Sequence, residues 1–121
     1  MADFIIPKGE DYLFTIKVIE KDSFLPQDLT TMTSATIEFS DLETLATLFT
    51  ATTTGVIDEL NGLLGFELTA EQTELMRYDR GPKVDGYYLR PTYQALIKVA
   101  GTGFQDITTV VNKVYVTPVS E

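Results

Sequence analysis

Side chains that usually carry enzyme chemistry are scarce in this sequence. Its 121 residues include no histidine and no cysteine. That removes the commonest general base, the commonest transition-metal ligand, the thiolate nucleophile and any disulfide framework. Serine occurs only at Ser23, Ser34, Ser40 and Ser120, and none has a histidine to activate it. Carboxylates are the main reactive class left. Glu10-Asp11 and Asp58-Glu59 are adjacent pairs, and two carboxyl groups flanking one bond can hydrolyse a glycoside. Neighbours on an extended chain point to opposite sides, so both pairs read as solvated surface. The stretch Asp79 to Asp85, followed by Gly86, has the outline of a calcium loop. Arg80, Pro82 and Lys83 inside it break the D-x-[DN]-x-[DN]-G ligand spacing. Gly101-Thr102-Gly103 is too short for a phosphate loop and lies between two apolar runs. No catalytic residue, cofactor-binding residue or metal ligand is assigned, and no enzyme or cofactor is expected.

Binding chemistry offers slightly more. Tyr87, Tyr88 and Tyr93 could line an aromatic platform for a sugar, but strand neighbours face opposite ways. At least one of Tyr87 and Tyr88 is therefore expected in the core. The formal net charge is −9 and the pI about 4.3, which repels a phosphate backbone and argues against nucleic acid. That acidity serves either a solvated surface or a charge-complementary protein partner. No apolar run approaches the roughly 18 residues needed to cross a membrane, so no membrane partner is expected. The N-terminus MADFIIPKGED has neither the basic region nor the long apolar region of a secretory signal, so synthesis in the cytosol is expected.

The elements that must position these residues read as strands separated by turn clusters. Phe4 to Ile6 is a short strand stopped by Pro7 and turned through Lys8-Gly9-Glu10. Tyr12 to Glu20 alternates, with Tyr12, Phe14, Ile16 and Val18 on the buried face. Lys21 to Leu29 reads as a loop. Ser34 to Ser40 alternates again, with Ala35, Ile37 and Phe39 inward and Thr36, Glu38 and Ser40 outward. Thr44 to Thr54 is Thr-rich, β-prone and uncharged after Glu43. It lacks the Lys or Pro that blunts an exposed edge. It is either a candidate interaction edge, which Leu48→Lys would probe, or a normal interior strand.

Val56 to Leu60 and Leu63 to Leu68 flank Asn61-Gly62, the preferred pair for a two-residue type I′ hairpin. Leu64, Phe66 and Leu68 form its expected buried face. Thr69 as N-cap with Gln72 three residues on forms a capping box. A helix is expected over Ala70 to Arg77, ended by Asp79-Arg80-Gly81-Pro82. Tyr87 to Val99 is a long strand with Tyr93, Ala95, Ile97 and Val99 on one face. Ile107 to Val119 mixes its phases, as a central or bulged strand does, and Gly101-Thr102-Gly103 reads as the hairpin turn between them.

Residues 1–121 thus form one domain by length. The fold class is all-β: an immunoglobulin-like antiparallel β-sandwich of seven to eight strands, with one short helix near residues 70–77. The disulfide and buried Trp of antibody domains are missing, and a small partly open barrel is the alternative.

Several segments carry a family resemblance. Phe4 to Val18, FIIPKGEDYLFTIKV, followed by LPQDLT at Leu25 to Thr30, resembles the N-terminal domain of phage upper baseplate proteins. LTAEQT at Leu68 to Thr73 is similar to the helix-then-strand step of the same domains. GYYLRP at Gly86 to Pro91 and KVYVTPV at Lys113 to Val119 resemble small immunoglobulin-like collar or baseplate proteins of T-five-type siphophages. The resemblance implies a non-enzymatic virion structural protein that oligomerises as a ring or decorates the tail tube. The implied partners are other phage tail proteins and further copies of itself. The implied location is the virion tail, assembled in the host bacterial cytoplasm. A carbohydrate- or host-surface-binding β-sandwich module is the alternative function.

Overall fold

The computed structural model describes residues 4–19, 25–84, 86–102 and 107–118. Ten strands and one helix follow in chain order: β1 Phe4–Pro7, β2 Tyr12–Lys17, β3 Met32–Asp41, β4 Thr47–Thr52, β5 Gly55–Asp58, β6 Leu63–Leu68, α1 Ala70–Glu74, β7 Asp79–Val84, β8 Tyr87–Arg90, β9 Tyr93–Gly101 and β10 Ile107–Thr117. They build an all-β sandwich. One sheet has five strands in the order β1-β10-β9-β3-β4, the other three in the order β2-β6-β5, and β7-β8 forms a separate ribbon. Every pairing is antiparallel except β1 with β10, which is parallel.

The alternating runs place their apolar residues between the sheets as expected. Ala35, Ile37 and Phe39 are fully buried, as are Leu64, Phe66 and Leu68 opposite them and Ala95, Ile97 and Val99 beside them. Each of the larger side chains among these contributes about 1.5–3 kcal/mol by leaving water. Phe14 links the layers: its ring lies 5.1 Å from that of Phe4 and 5.5 Å from that of Phe66. In β2, Leu13, Thr15 and Lys17 face solvent while Ile16 and Val18 are buried. Regular pairing ends at Lys17, and Ile19 makes an isolated bridge to Pro26. Glu20 and the loop residues Lys21 to Phe24 lie outside the described residues, as do Gly103 in the expected 101–103 turn and Val119. Ser40, expected to face outward, is buried. β10 is both central and bulged, its register shifting between Val111 and Val114.

Four sequence expectations change. The Asn61-Gly62 turn is not type I′, because Gly62 has φ +68° while Asn61 keeps negative φ. Asp58 explains this: its carboxylate accepts from the Asn61 backbone N–H and from Asn61 Nδ2 (2.7 Å), holding a four-residue loop, 59–62. The helix stops at Glu74, with Leu75 as C-cap, short of residue 77. Its capping box forms as expected, with Thr69 Oγ1 accepting from Gln72 N–H and Gln72 Oε1 accepting from Thr69 N–H. The Asp79 to Pro82 stretch is strand β7, not a stop. The expected long strand from Tyr87 divides at Pro91-Thr92 into β8 and β9, since Pro91 has no N–H for a ladder. These last two changes raise the strand count to ten.

Candidate interaction surfaces

Two surfaces combine exposure with unfinished bonding. The first is β4, the rim of the five-stranded sheet, whose one ladder partner among the described residues is β3. Thr53 N–H donates to Ala35 O at 3.0 Å. Bonded and non-bonded pairs alternate in an antiparallel ladder. The Ala51–Ile37 pair is therefore in the bonded phase, and the N–H and C=O of Thr50 and Thr52 point away from the sheet. Both threonines are exposed, and TLFTAT carries no charge and no proline. The Thr44 to Thr54 segment thus contains a sheet edge and not an interior strand. Leu48 is a poor probe of it. The register passes from Phe39–Phe49 to Ser40–Thr47, so Leu48 sits in a bulge, half-buried against the core. Thr50 reports on the edge without disturbing packing.

The second surface is the β7-β8 ribbon. Its base is fixed by Arg77, whose backbone N–H donates to Tyr93 Oη at 2.8 Å. The Arg77 guanidinium pairs with Asp41 at 3.2 Å and with Asp79. Asp41 also accepts the backbone N–H groups of Glu43 and Thr44. Those two bonds, then Arg77, hold its carboxyl below the usual carboxylate range. Leu89 is buried and anchors β8, which packs beside β10. Gly81 is required where the strands cross: a Cβ there would lie 2.6 Å from Leu89 O. The register shifts between Asp79 and Lys83, which accommodates Pro82.

Tyr87 and Tyr88 are respectively 50% and 49% exposed, so neither is core. Alternation buries one of two neighbours only where a sheet face has something packed on it. Arg80 lies over the Tyr88 ring at 4.6 Å, and Tyr78 Oη donates to Tyr88 O. Tyr93, the third residue of the supposed platform, is buried at the ribbon base. The structure therefore separates Tyr93 from the exposed pair.

The carboxylate pairs do not converge. Glu10-Asp11 lies at the β1-β2 turn, where Asp11 Oδ1 accepts from Ala70 N–H (2.7 Å) at the start of α1. Asp58 ends β5 and Glu59 begins the 59–62 loop, where Leu29 N–H donates to Glu59 O. Among the described residues no three carboxylates gather as a metal-holding group. Asp79 and Lys83 lie in the extended strand β7, and Gly86 lies in the turn that leads to β8. Between the sheets, Ile16, Val18, Ile97, Val99 and Thr109 line a cleft of about 60 Å³, far below the several hundred Å³ of a ligand pocket. No helix of the described residues is long and apolar enough to cross a membrane. The sequence has no significant match among protein-family models or curated proteins.

Sequence reasoning found the β4 segment but missed the ribbon. Its signal was present: Arg77, Arg80, Lys83 and Arg90 fall within fourteen residues, out of nine Lys and Arg in the chain.

Proposed function

We propose that this chain is a non-enzymatic structural protein of a phage virion, part of a tail, collar or baseplate. Its copies oligomerise as a ring or decorate the tail tube, and other tail proteins are its neighbours. The carrying observation is the β4 edge, where outward N–H and C=O groups meet no guarding charge, proline or covering segment among the described residues. An edge of this kind is a template for pairing with another strand, and natural monomers blunt it. The motif resemblance at Phe4 to Val18 and Gly86 to Pro91 supplies the virion context. The absence of cysteine suits assembly in a reducing bacterial cytoplasm.

Mass measurement of the purified chain by native mass spectrometry tests the reading, together with electron microscopy of labelled protein on particles. A closed oligomer, or a monomer captured by isolated tails, is expected. A chain that stays monomeric and binds no particle refutes it. The exposed Tyr87 and Tyr88 favour one second reading, a carbohydrate- or host-surface-binding module. Binding of the monomer to a glycan array, lost on Tyr87→Ala and Tyr88→Ala, would establish that instead.

A further inference from the structure

At one end of the sandwich lies the ribbon, whose segment 79–90 holds Arg80, Lys83 and Arg90 against Asp79 and Asp85 in sequence, while the turn beside α1 is acidic. Asp41, Tyr93 and Val114 lie side by side across β3, β9 and β10, which defines that end. Arg77 fastens the ribbon there through Asp41. β1 pairs with Val114 to Thr117 and leads directly into the Glu10-Asp11 turn. Asp11 caps α1 at Ala70, and Thr73 Oγ1 donates to Glu10 O at 2.8 Å. Glu10, Asp11, Glu71 and Glu74 are all exposed at this end, as are Arg80, Lys83 and Arg90 on the ribbon. Among the described residues the ion pairs are those of Arg77, so Arg80, Lys83 and Arg90 have no carboxylate partner. Lys8 Nζ donates to the carbonyls of Glu74 and Met76, so its charge offsets one of the four carboxylates and leaves the acidic side net negative.

We infer that the occupant of this surface is a second copy of the chain. The basic ribbon of each protomer lies on the acidic α1 turn of the other, about a two-fold axis. A patch holding both signs side by side is self-complementary under such an axis, so one contact type satisfies both molecules. A six-residue strand reaches roughly 20 Å, and Tyr87 and Tyr88 supply the amphipathic anchors that carry binding energy at protein interfaces. The charge also selects the partner. A chain of net −9 repels its own kind at most orientations, and the ribbon relieves that repulsion in one. This inference rests on the proposed assembly role and adds a specific contact, separate from the β4 edge.

The test is sedimentation velocity of the full chain over a concentration series, at about 50 mM and about 500 mM NaCl. Screening at the higher salt is expected to weaken association about tenfold or more. Arg80→Glu/Lys83→Glu/Arg90→Glu and, separately, Glu71→Lys/Glu74→Lys are expected to lose the salt-sensitive part of the self-association, leaving pairing through β4, while keeping the wild-type far-UV spectrum. Mixed in equal amounts, the two variants should associate again, since each then meets opposite charge. If the triple reversal does not fold, Lys83→Gln/Arg90→Gln is read the same way with a smaller shift. Wild-type association that resists both salt and the ribbon variants, but is lost in Thr50→Pro, overturns the ribbon contact and leaves assembly through β4 standing. Failure of the mixture to reassociate overturns the ribbon contact as well. A wild-type chain that is monomeric at every salt and concentration overturns both, and glycan binding by that monomer gives the tyrosines their other role.

Discussion

Two neighbouring proline substitutions in β4 should behave in opposite ways. Thr50 and Ala51 are adjacent in one strand, but their N–H groups point in opposite directions. Thr50 is exposed and its N–H faces away from β3, so Thr50→Pro removes no ladder bond and places proline where edge strands tolerate it. The expected cost is within about 1 kcal/mol. Ala51 is 7% exposed and lies opposite Ile37 in the bonded phase. Ala51→Pro deletes that N–H, leaves the Ile37 carbonyl buried without its donor, and pushes a ring against β3. A buried unsatisfied group costs about 1–3 kcal/mol, and the added volume brings the total to about 2–4 kcal/mol. For a chain of this length each kcal/mol moves Tm by about 3–6 °C. Ala51→Pro should therefore melt about 6–24 °C below wild type, and Thr50→Pro within about 6 °C of it. Circular dichroism melts read the stability and native mass spectrometry reads the assembly. Thr50→Pro should stay folded and lose the association made through β4, keeping only the salt-sensitive ribbon contact. Equal melting temperatures would refute the ladder phase assigned to β4. A folded Thr50→Pro with undiminished assembly would refute the edge as the contact.

Three further outcomes follow from local geometry. Gly62→Ala should cost about 2–4 kcal/mol in a urea titration, because φ is +68° and a Cβ would lie 2.4 Å from Val18 O. Gly86→Ala, at φ +85° in open space, should cost only about 1–2 kcal/mol, so equal effects would contradict this account of the 59–62 loop. Thr69→Ala should cost about 1 kcal/mol by removing the α1 cap, and a melt unchanged from wild type would deny the cap any role. Asp28, Asp41 and Asp58 have carboxyls held below their usual range: Asp28 by the Thr30 hydroxyl and N–H, Asp41 by Glu43 and Thr44 N–H, and Asp58 by the Asn61 side chain and N–H. Their folded pKa lies below the unfolded value of about 3.9, so their stabilisation is complete above that pH. It is lost as pH falls through the folded values. Urea midpoints should drop between about pH 5 and about pH 2, and the drop should be smaller in Asp41→Asn.

Much of the fold was legible in the residue pattern, because a strand with one packed face must alternate. Tyr12 to Val18, Ala35 to Phe39, Leu64 to Leu68 and Tyr93 to Val99 show that period, and each faces the core on the side it indicates. The Thr69–Gln72 cap was legible too, since it is local chemistry within four residues. The charge cluster at 77–90 was equally visible, but its meaning was not. Asp79 to Pro82 has the composition of a loop and becomes a strand through pairing with Tyr87 to Arg90, held by Arg77 on Asp41 and by the buried Leu89.

The all-β class, the inward faces and the lack of histidine and thiol chemistry follow from residue type and from the spacing of a few positions. Which strand became a rim and which loop became a ribbon depends on the order in which distant segments pair. The same threonines suit an interior strand or an edge, and sheet order sets the difference: β3 is bonded on both sides, β4 on one. Tyr87 and Tyr88 obey the same rule of alternation as the core strands, but both are exposed because, among the described residues, packing reaches β8 at Leu89 and not at the two tyrosines. Exposure depends on what packs against a residue, and that partner is chosen by contacts far apart along the chain.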